Sequence, residues 1–164
     1  MFCCFNSVYK ITPAVFASWM RILGHVPGSV LWLYVDHETA RRNLRAEAVN
    51  AGIDDQRLVF AGRVPLDEHL RRLQAADLFL DTSPYNAGAT ASNALRVGLP
   101  VLTRCGESFA SRIGASLLAA VDLRELITTT APAYEAVTLS IETVVARLTL
   151  NDPKSYNSLG LDLL

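Results

Sequence analysis

Apolar runs of strand length alternate with segments of helical period along this chain. Residues 2–5, 30–35, 58–61, 77–81 and 101–103 are mostly continuous apolar runs, the pattern of parallel strands covered on both faces. Thr12 is placed to cap a helix with Pro13 at its first position, where proline loses no hydrogen bond. Phe16, Met20 and Leu23 then recur on one helical face, and Pro27-Gly28 breaks the chain. Residues 37–50 read as a charged, Ala-rich helix ending near Gly52. Pro65 opens another helix, with Asp67 and Glu68 in the first turn, where the helix dipole favours acids. Leu66, Leu70 and Leu73 form its expected apolar face. A short helix over 90–97 is stopped by Gly98 and Pro100. Further on, the pattern predicts a helix over 109–120, a short strand or helical turn over 123–127 and a final helix over 133–149. The alternation predicts an α/β fold: a Rossmann-like parallel sheet with helices on both faces and right-handed crossovers. One domain is expected over 1–150, with 151–164 as a loosely attached tail that lacks periodicity.

Composition narrows the function classes. The 164 residues are 51% hydrophobic and 19% charged, as in an ordered domain with a sizeable core. A net charge of −1 gives no attraction to nucleic acid or anionic membranes. Three cysteines form neither a metal motif nor a disulfide framework. Cys3 and Cys4 lie within an apolar strand and are expected as buried free thiols, which suits a reducing compartment. No apolar run reaches the ~20 residues of a membrane span, and the N-terminus lacks a charged leader. A soluble, cytoplasmic protein is expected.

In doubly wound folds, ligands bind beyond the carboxyl ends of the strands, which directs attention to loops 6–12, 62–65, 82–90 and 104–108. Asn6, Ser7, Tyr9 and Lys10 occupy the first. A lysine there can neutralise a diphosphate or simply be exposed ahead of a helix. His69 and Arg72 are neighbours on one helix face; they suit a base and a phosphate, or a solvated surface beside the leucines. Asn86 to Thr90 form a small-residue loop running into a helix start, where unpaired N–H groups attract anions. Thr90 can bind phosphate or cap the helix, and Asn93 can reach a sugar hydroxyl. Gly106 to Arg112 read as a loop entering a helix with Ser108 as its cap, or as a purely structural pattern. The sequence holds no Walker-type phosphate loop, no Gly-x-Gly-x-x-Gly, no Gly-x-Ser-x-Gly elbow and no convincing zinc set.

The segments FCCFNSVYKITP, VPGSVLWLY and RLVFAGRVPLDEHLRRLQAADLFLDTSPYNAGATASNALRVGLPVLTRCGESFASRIGASLL, with the later YEAV, resemble the C-terminal catalytic half of O-linked N-acetylglucosaminyltransferases and the related SPINDLY-type enzymes. The resemblance covers roughly residues 2–145. It implies one half of a GT-B glycosyltransferase that binds a UDP-sugar donor, UDP-GlcNAc first among them, with no cofactor and no metal. It implies that Lys10 contacts the donor diphosphate and is needed for catalysis. His69 packs on uracil with Arg72 one turn later, the Val64 backbone meets the uracil edge, and Thr90 is the second threonine of a phosphate-binding His-Thr-Thr. Protein acceptors, helical repeats and an N-terminal GT-B half are the partners it implies, lying outside this chain.

Several positions depart from that pattern. The triplet reads Gly88-Ala89-Thr90, the ribose-holding aspartate is Asn93, the following tryptophan is Arg96, and a donor-contacting glutamine is Ser7. Losing two or three such hydrogen bonds, at ~0.5–3 kcal/mol each, weakens nucleotide binding by roughly 10–10⁴-fold. The expected function is therefore a donor domain for protein O-GlcNAc transfer to Ser/Thr hydroxyls, weak or inactive alone. The alternatives are a degenerate, non-catalytic interaction module, or a half that pairs with another chain.

Overall fold

The continuous apolar runs form strands because both faces of each are covered. The computed structural model describes residues 1–139. Its strands are β1 (Phe2–Cys4), β2 (Leu31–Tyr34), β3 (Leu58–Ala61), β4 (Leu78–Leu80), β5 (Val101–Arg104) and β6 (Ile127–Thr128). They form one sheet in the order β3-β2-β1-β4-β5-β6, with every pairing parallel. β1 and β4 lie at the centre and are buried throughout. Cys3 pairs in register with Trp32 on one side and Phe79 on the other. Both Cys3 and Cys4 are free, buried thiols, and burial pushes the pKa of each upward.

The strand order reverses between β1 and β4, the switch point of a doubly wound sheet, where the two outgoing loops diverge and leave a crevice. The helices are α1 (Pro13–His25), α2 (Glu38–Asn50), α3 (Leu66–Leu73), α4 (Ala89–Arg96), α5 (Ile113–Ala120) and α6 (Ala131–Leu139). Right-handed crossovers put α1 and α2 on one face of the sheet and α3, α4 and α5 on the other. Accordingly α4 packs against both α3 and α5, while α6 packs against α1. The Trp19 indole N–H donates to the Tyr134 hydroxyl (3.2 Å) and Arg21 pairs with Glu135 (2.7 Å), tying α6 to α1. The Thr12 hydroxyl caps α1 by accepting from the Val15 N–H at 3.3 Å.

The structure corrects four local expectations. Residues 109–120 are not one helix. Ser108 accepts from the Ser111 N–H at 3.2 Å and closes a separate 3-10 turn over Phe109–Ser111, and α5 starts only at Ile113. Leu66 does not join the apolar face of α3: it is 57% exposed while Leu73 is fully buried, because it lies in the first turn where the helix leaves the loop at 62–65. Thr90 is not a cap: α4 begins at Ala89, with Gly88 in the capping position and no side-chain cap. Residues 123–127 use both alternatives, a 3-10 turn over Arg124–Leu126 running into β6. The final helix starts at Ala131; its expected continuation to 149 and the tail 151–164 lie outside the described residues. Among the described residues, no helix is long and apolar enough to cross a membrane.

Candidate nucleotide-sugar site

Two sets of side chains gather beyond the carboxyl ends of the strands. The first surrounds a cavity of about 210 Å³ lined by Phe5, Gly62, Arg63, Val64, His69 and Arg72. Phe5, one residue beyond β1, forms its inner wall. The His69 ring stands edge-on to Phe5, with centroids 5.5 Å apart and planes at 74°. The Arg72 guanidinium lies over Phe5 (5.4 Å) and Trp32 (5.7 Å) and donates to the Gly62 carbonyl (3.1 Å), which fixes the β3–α3 loop. Desolvation, and then the Arg72 charge, hold the His69 pKa below its ordinary 6.5. A neutral imidazole results, which can stack on a planar base. The spacing of His69 and Arg72 thus brings both to one cavity, with Val64 on its rim.

The second set lies at the switch point. Ser7 is exposed and precedes a 3-10 turn, Val8–Lys10. The Lys10 ammonium donates to the Asn86 carbonyl at 3.0 Å and sits 3.8 Å from the centroid of the Tyr85 ring. Desolvation lowers its pKa, and the charge of Asp81 opposes that shift. The Thr90 hydroxyl donates to Asn6 Oδ1 at 2.9 Å, so contact with a phosphate requires that bond to be exchanged. Gly88 and the exposed Ala89 open α4, whose first N–H groups have no acceptor within the helix. Half-buried Asn93 lies one turn after Thr90. A Cβ added at Gly88 would meet only Ile113 Cγ2, at an ordinary contact distance of 3.8 Å.

Beneath this loop lies a residue that sequence reasoning did not single out. Asp81, 1% exposed at the end of β4, accepts at Oδ1 from the N–H groups of Thr82 (2.8 Å) and Ala87 (2.7 Å) and at Oδ2 from the Thr103 hydroxyl (2.7 Å). Burial raises its pKa to about 6 against the pull of these donors and of Lys10. The only signal in the sequence is a carboxylate ending an otherwise apolar strand. Asn86, also fully buried, donates to the Thr82 carbonyl at 2.7 Å and holds the other end of the loop. The Ser83–Pro84 peptide within it is cis. Among the described residues, no group of three or more His, Cys, Asp or Glu could hold a metal ion.

A doubly wound parallel sheet with a cavity and a cationic turn beyond the carboxyl ends of its strands has the architecture of a Rossmann-like half-domain. Comparison with known proteins fixes the family. The model of glycosyl transferase family 41 matches residues 1–156, and the chain belongs to that family. A UDP-N-acetylglucosamine–peptide N-acetylglucosaminyltransferase of Caenorhabditis elegans is 37% identical over 143 residues, covering 87% of this chain and 12% of the relative. The probable enzyme SEC of Arabidopsis thaliana is 33% identical, covering 94% of this chain and 15% of its own length. The chain therefore spans under one sixth of these relatives. Among solved structures, a mutant O-GlcNAc transferase of Thermobaculum terrenum superposes with a TM-score of 0.92 at 29% identity, over 98% of this chain and 32% of that one. The kitacinnamycin glycosyltransferase shares the fold, with a TM-score of 0.54 at 11% identity over 96% of this chain and 39% of its own. The architecture is that of one GT-B half.

Proposed function

We propose that this chain is the donor-binding half of an O-GlcNAc transferase-type glycosyltransferase, with UDP-GlcNAc as its ligand and the cytoplasm as its setting. The observation that carries this reading is the placement of a base-sized cavity at Phe5, Val64 and His69 at the same end of the sheet as a half-buried ammonium, Lys10, beside the start of α4. Uracil lies against His69 with its edge on the Val64 backbone. Arg72 holds the loop that carries both. The diphosphate lies over the amides of Gly88, Ala89 and Thr90, and Lys10 exchanges the Asn86 carbonyl for a phosphate oxygen. Ser7 and Asn93 flank the ribose and diphosphate. In transfer, the bond from the anomeric carbon to the diphosphate breaks as the acceptor Ser/Thr oxygen bonds to that carbon and releases its hydroxyl proton to solvent. UDP leaves with the electron pair, and Lys10 with the amides stabilises its charge. No metal and no cofactor enter this scheme. In a complete enzyme, with a protein acceptor bound in the cleft between the two GT-B halves, Lys10→Ala is expected to abolish transfer.

Calorimetric titration with UDP, UDP-GlcNAc and GDP tests the reading. Saturable binding that prefers UDP over GDP is expected, weakened by the missing imidazole and hydroxyl at 88 and 89. Preference for GDP would point to a different nucleotide sugar. Those same two positions favour a second reading, a degenerate module that keeps the fold without the ligand. A folded sample that binds none of the three at millimolar concentration would establish it.

A further inference from the structure

We infer that Asp81 is a positioning residue for the donor site: its buried carboxylate holds the loop from Thr82 to Ala87, against which Lys10 rests, in the arrangement that receives a diphosphate, and it takes up a proton when the diphosphate binds. This rests on the reading of Lys10 as the diphosphate ligand.

The Asp81 carboxylate touches the loop, β5 and, through Asn6, the end of β1. Oδ1 fixes both ends of the loop by accepting from the Thr82 and Ala87 N–H groups, and Oδ2 ties it to β5 through Thr103. Asn6 donates to Thr82 Oγ1 at 2.8 Å, with a longer contact of 3.4 Å to Asp81 Oδ1, and accepts from Thr90. The end of β1 and the start of α4 are thereby joined to the same carboxylate. The Asp81 carbonyl accepts from the Tyr134 hydroxyl of α6 at 3.0 Å. On the α5 side the carboxylate meets a glycine: a Cβ at Gly114 would lie 2.6 Å from Asp81 Oδ2 and 2.5 Å from Thr103 Oγ1, so the close approach of α5 depends on Gly114.

The charged and titratable groups around it are few. Cys4 on β1 is a buried thiol held protonated by desolvation. Tyr134 on α6 is pushed upward by burial. Arg104 on β5 shares with Asp81 and Tyr134 a cavity of about 10 Å³ and donates to the Ser83 hydroxyl at 3.0 Å. Lys10 supplies the charge that favours ionised Asp81. A diphosphate bound at Lys10 draws that ammonium away and adds negative charge. Both effects favour protonated Asp81. Proton uptake must then accompany donor binding, with Oδ2 able to hold the proton toward Thr103 as Oδ1 keeps its two amide bonds. By linkage, affinity rises as pH falls toward 6.

The test is calorimetry with UDP-GlcNAc, whose diester phosphates do not titrate near neutrality, in two buffers of different ionisation heat at pH 6.5 and across pH 5.5–7.5. Wild type is expected to take up roughly half a proton per ligand at pH 6.5 and to bind several-fold tighter at the acid end, the size of effect linkage gives when bound and free pKa values straddle the working pH. Asp81→Asn, nearly isosteric, is expected to lose the uptake and give a flat profile. His69 is present in both proteins, so its titration cancels in the comparison. Should Asp81→Asn fail to fold, Thr103→Val keeps the charge but removes one donor, and must move the wild-type profile to higher pH. Identical proton uptake in wild type and Asp81→Asn, or an unmoved profile in Thr103→Val, overturns the inference. Wild-type binding with no proton uptake overturns it alone, whereas no binding at any pH removes the nucleotide reading as well.

Discussion

The β3–α3 segment keeps the residues its family resemblance implies for the base side, the Val64 backbone in the loop and His69 and Arg72 on α3, while the β4–α4 segment carries Gly88, Ala89 and Asn93 where the pattern has histidine, threonine and aspartate. The two regions use different chemistry. The cavity beside Val64 is lined by side chains: the ring of His69 set against Phe5 and the guanidinium that fixes the loop. A phosphate can be held largely by backbone N–H groups at a helix start, provided the backbone is fixed. Here Asp81 and Asn86 fix it from below. Side chains can therefore be absent from the β4–α4 loop without its shape collapsing, whereas His69 itself lines the cavity beside Val64.

The largest effect should come from making the two regions alike again. Gly88→His with Ala89→Thr and Asn93→Asp returns up to three hydrogen bonds, and UDP affinity is expected to rise roughly 10–10³-fold, read by calorimetry. A Cβ at 88 makes only ordinary contact, its nearest atom lying 3.8 Å away. An unchanged affinity in a folded variant would place the defect on the base side.

A second prediction concerns stability and the carboxylate beneath the loop. Folded Asp81 keeps its proton up to about pH 6, against an ordinary 3.8, so the folded state binds more protons than the unfolded one between these values. Its contribution is greatest below pH 3.8 and is lost as pH rises through 6. The rise corresponds to about 3 kcal/mol. Chemical denaturation of wild type and Asp81→Asn across pH 4–7 should show wild type losing about that much relative to the variant. A constant difference would contradict the assigned burial of charge.

The smallest effect separates the regions most cleanly. His69→Ala removes a stacking surface of ~1–3 kcal/mol, and should weaken UDP about tenfold while leaving inorganic pyrophosphate binding unchanged. Equal losses for both ligands would mean that His69 supports the loop rather than the base.

Much of this architecture was legible in the sequence because it rests on local rules. Runs such as 30–35 and 78–80 are continuously apolar, Thr12-Pro13 marks a helix start, and His69 and Arg72 share a face by spacing alone. Helix breaks were harder: the turn at Phe109–Ser111 depends on a bond from the Ser111 N–H to the Ser108 hydroxyl and on the Gly106 N–H reaching the Ser111 carbonyl at 2.9 Å, neither of which leaves a periodic trace. Asp81 was invisible as anything but the end of a strand, since its partner Thr103 lies 22 residues away and Asn6 lies 75 away. Only the pairing of β4 with β5 and β1 brings them together. The exposure of Leu66 was likewise set by where its helix begins.

Backbone amide shifts followed by NMR during a UDP titration test the central claim most directly, because both regions are read in one experiment. Saturable shifts confined to Phe5–Lys10, Gly62–Arg72 and Ala87–Asn93, with one shared dissociation constant, are the predicted result. A folded protein whose amides in both loops stay unmoved at millimolar UDP would contradict the account.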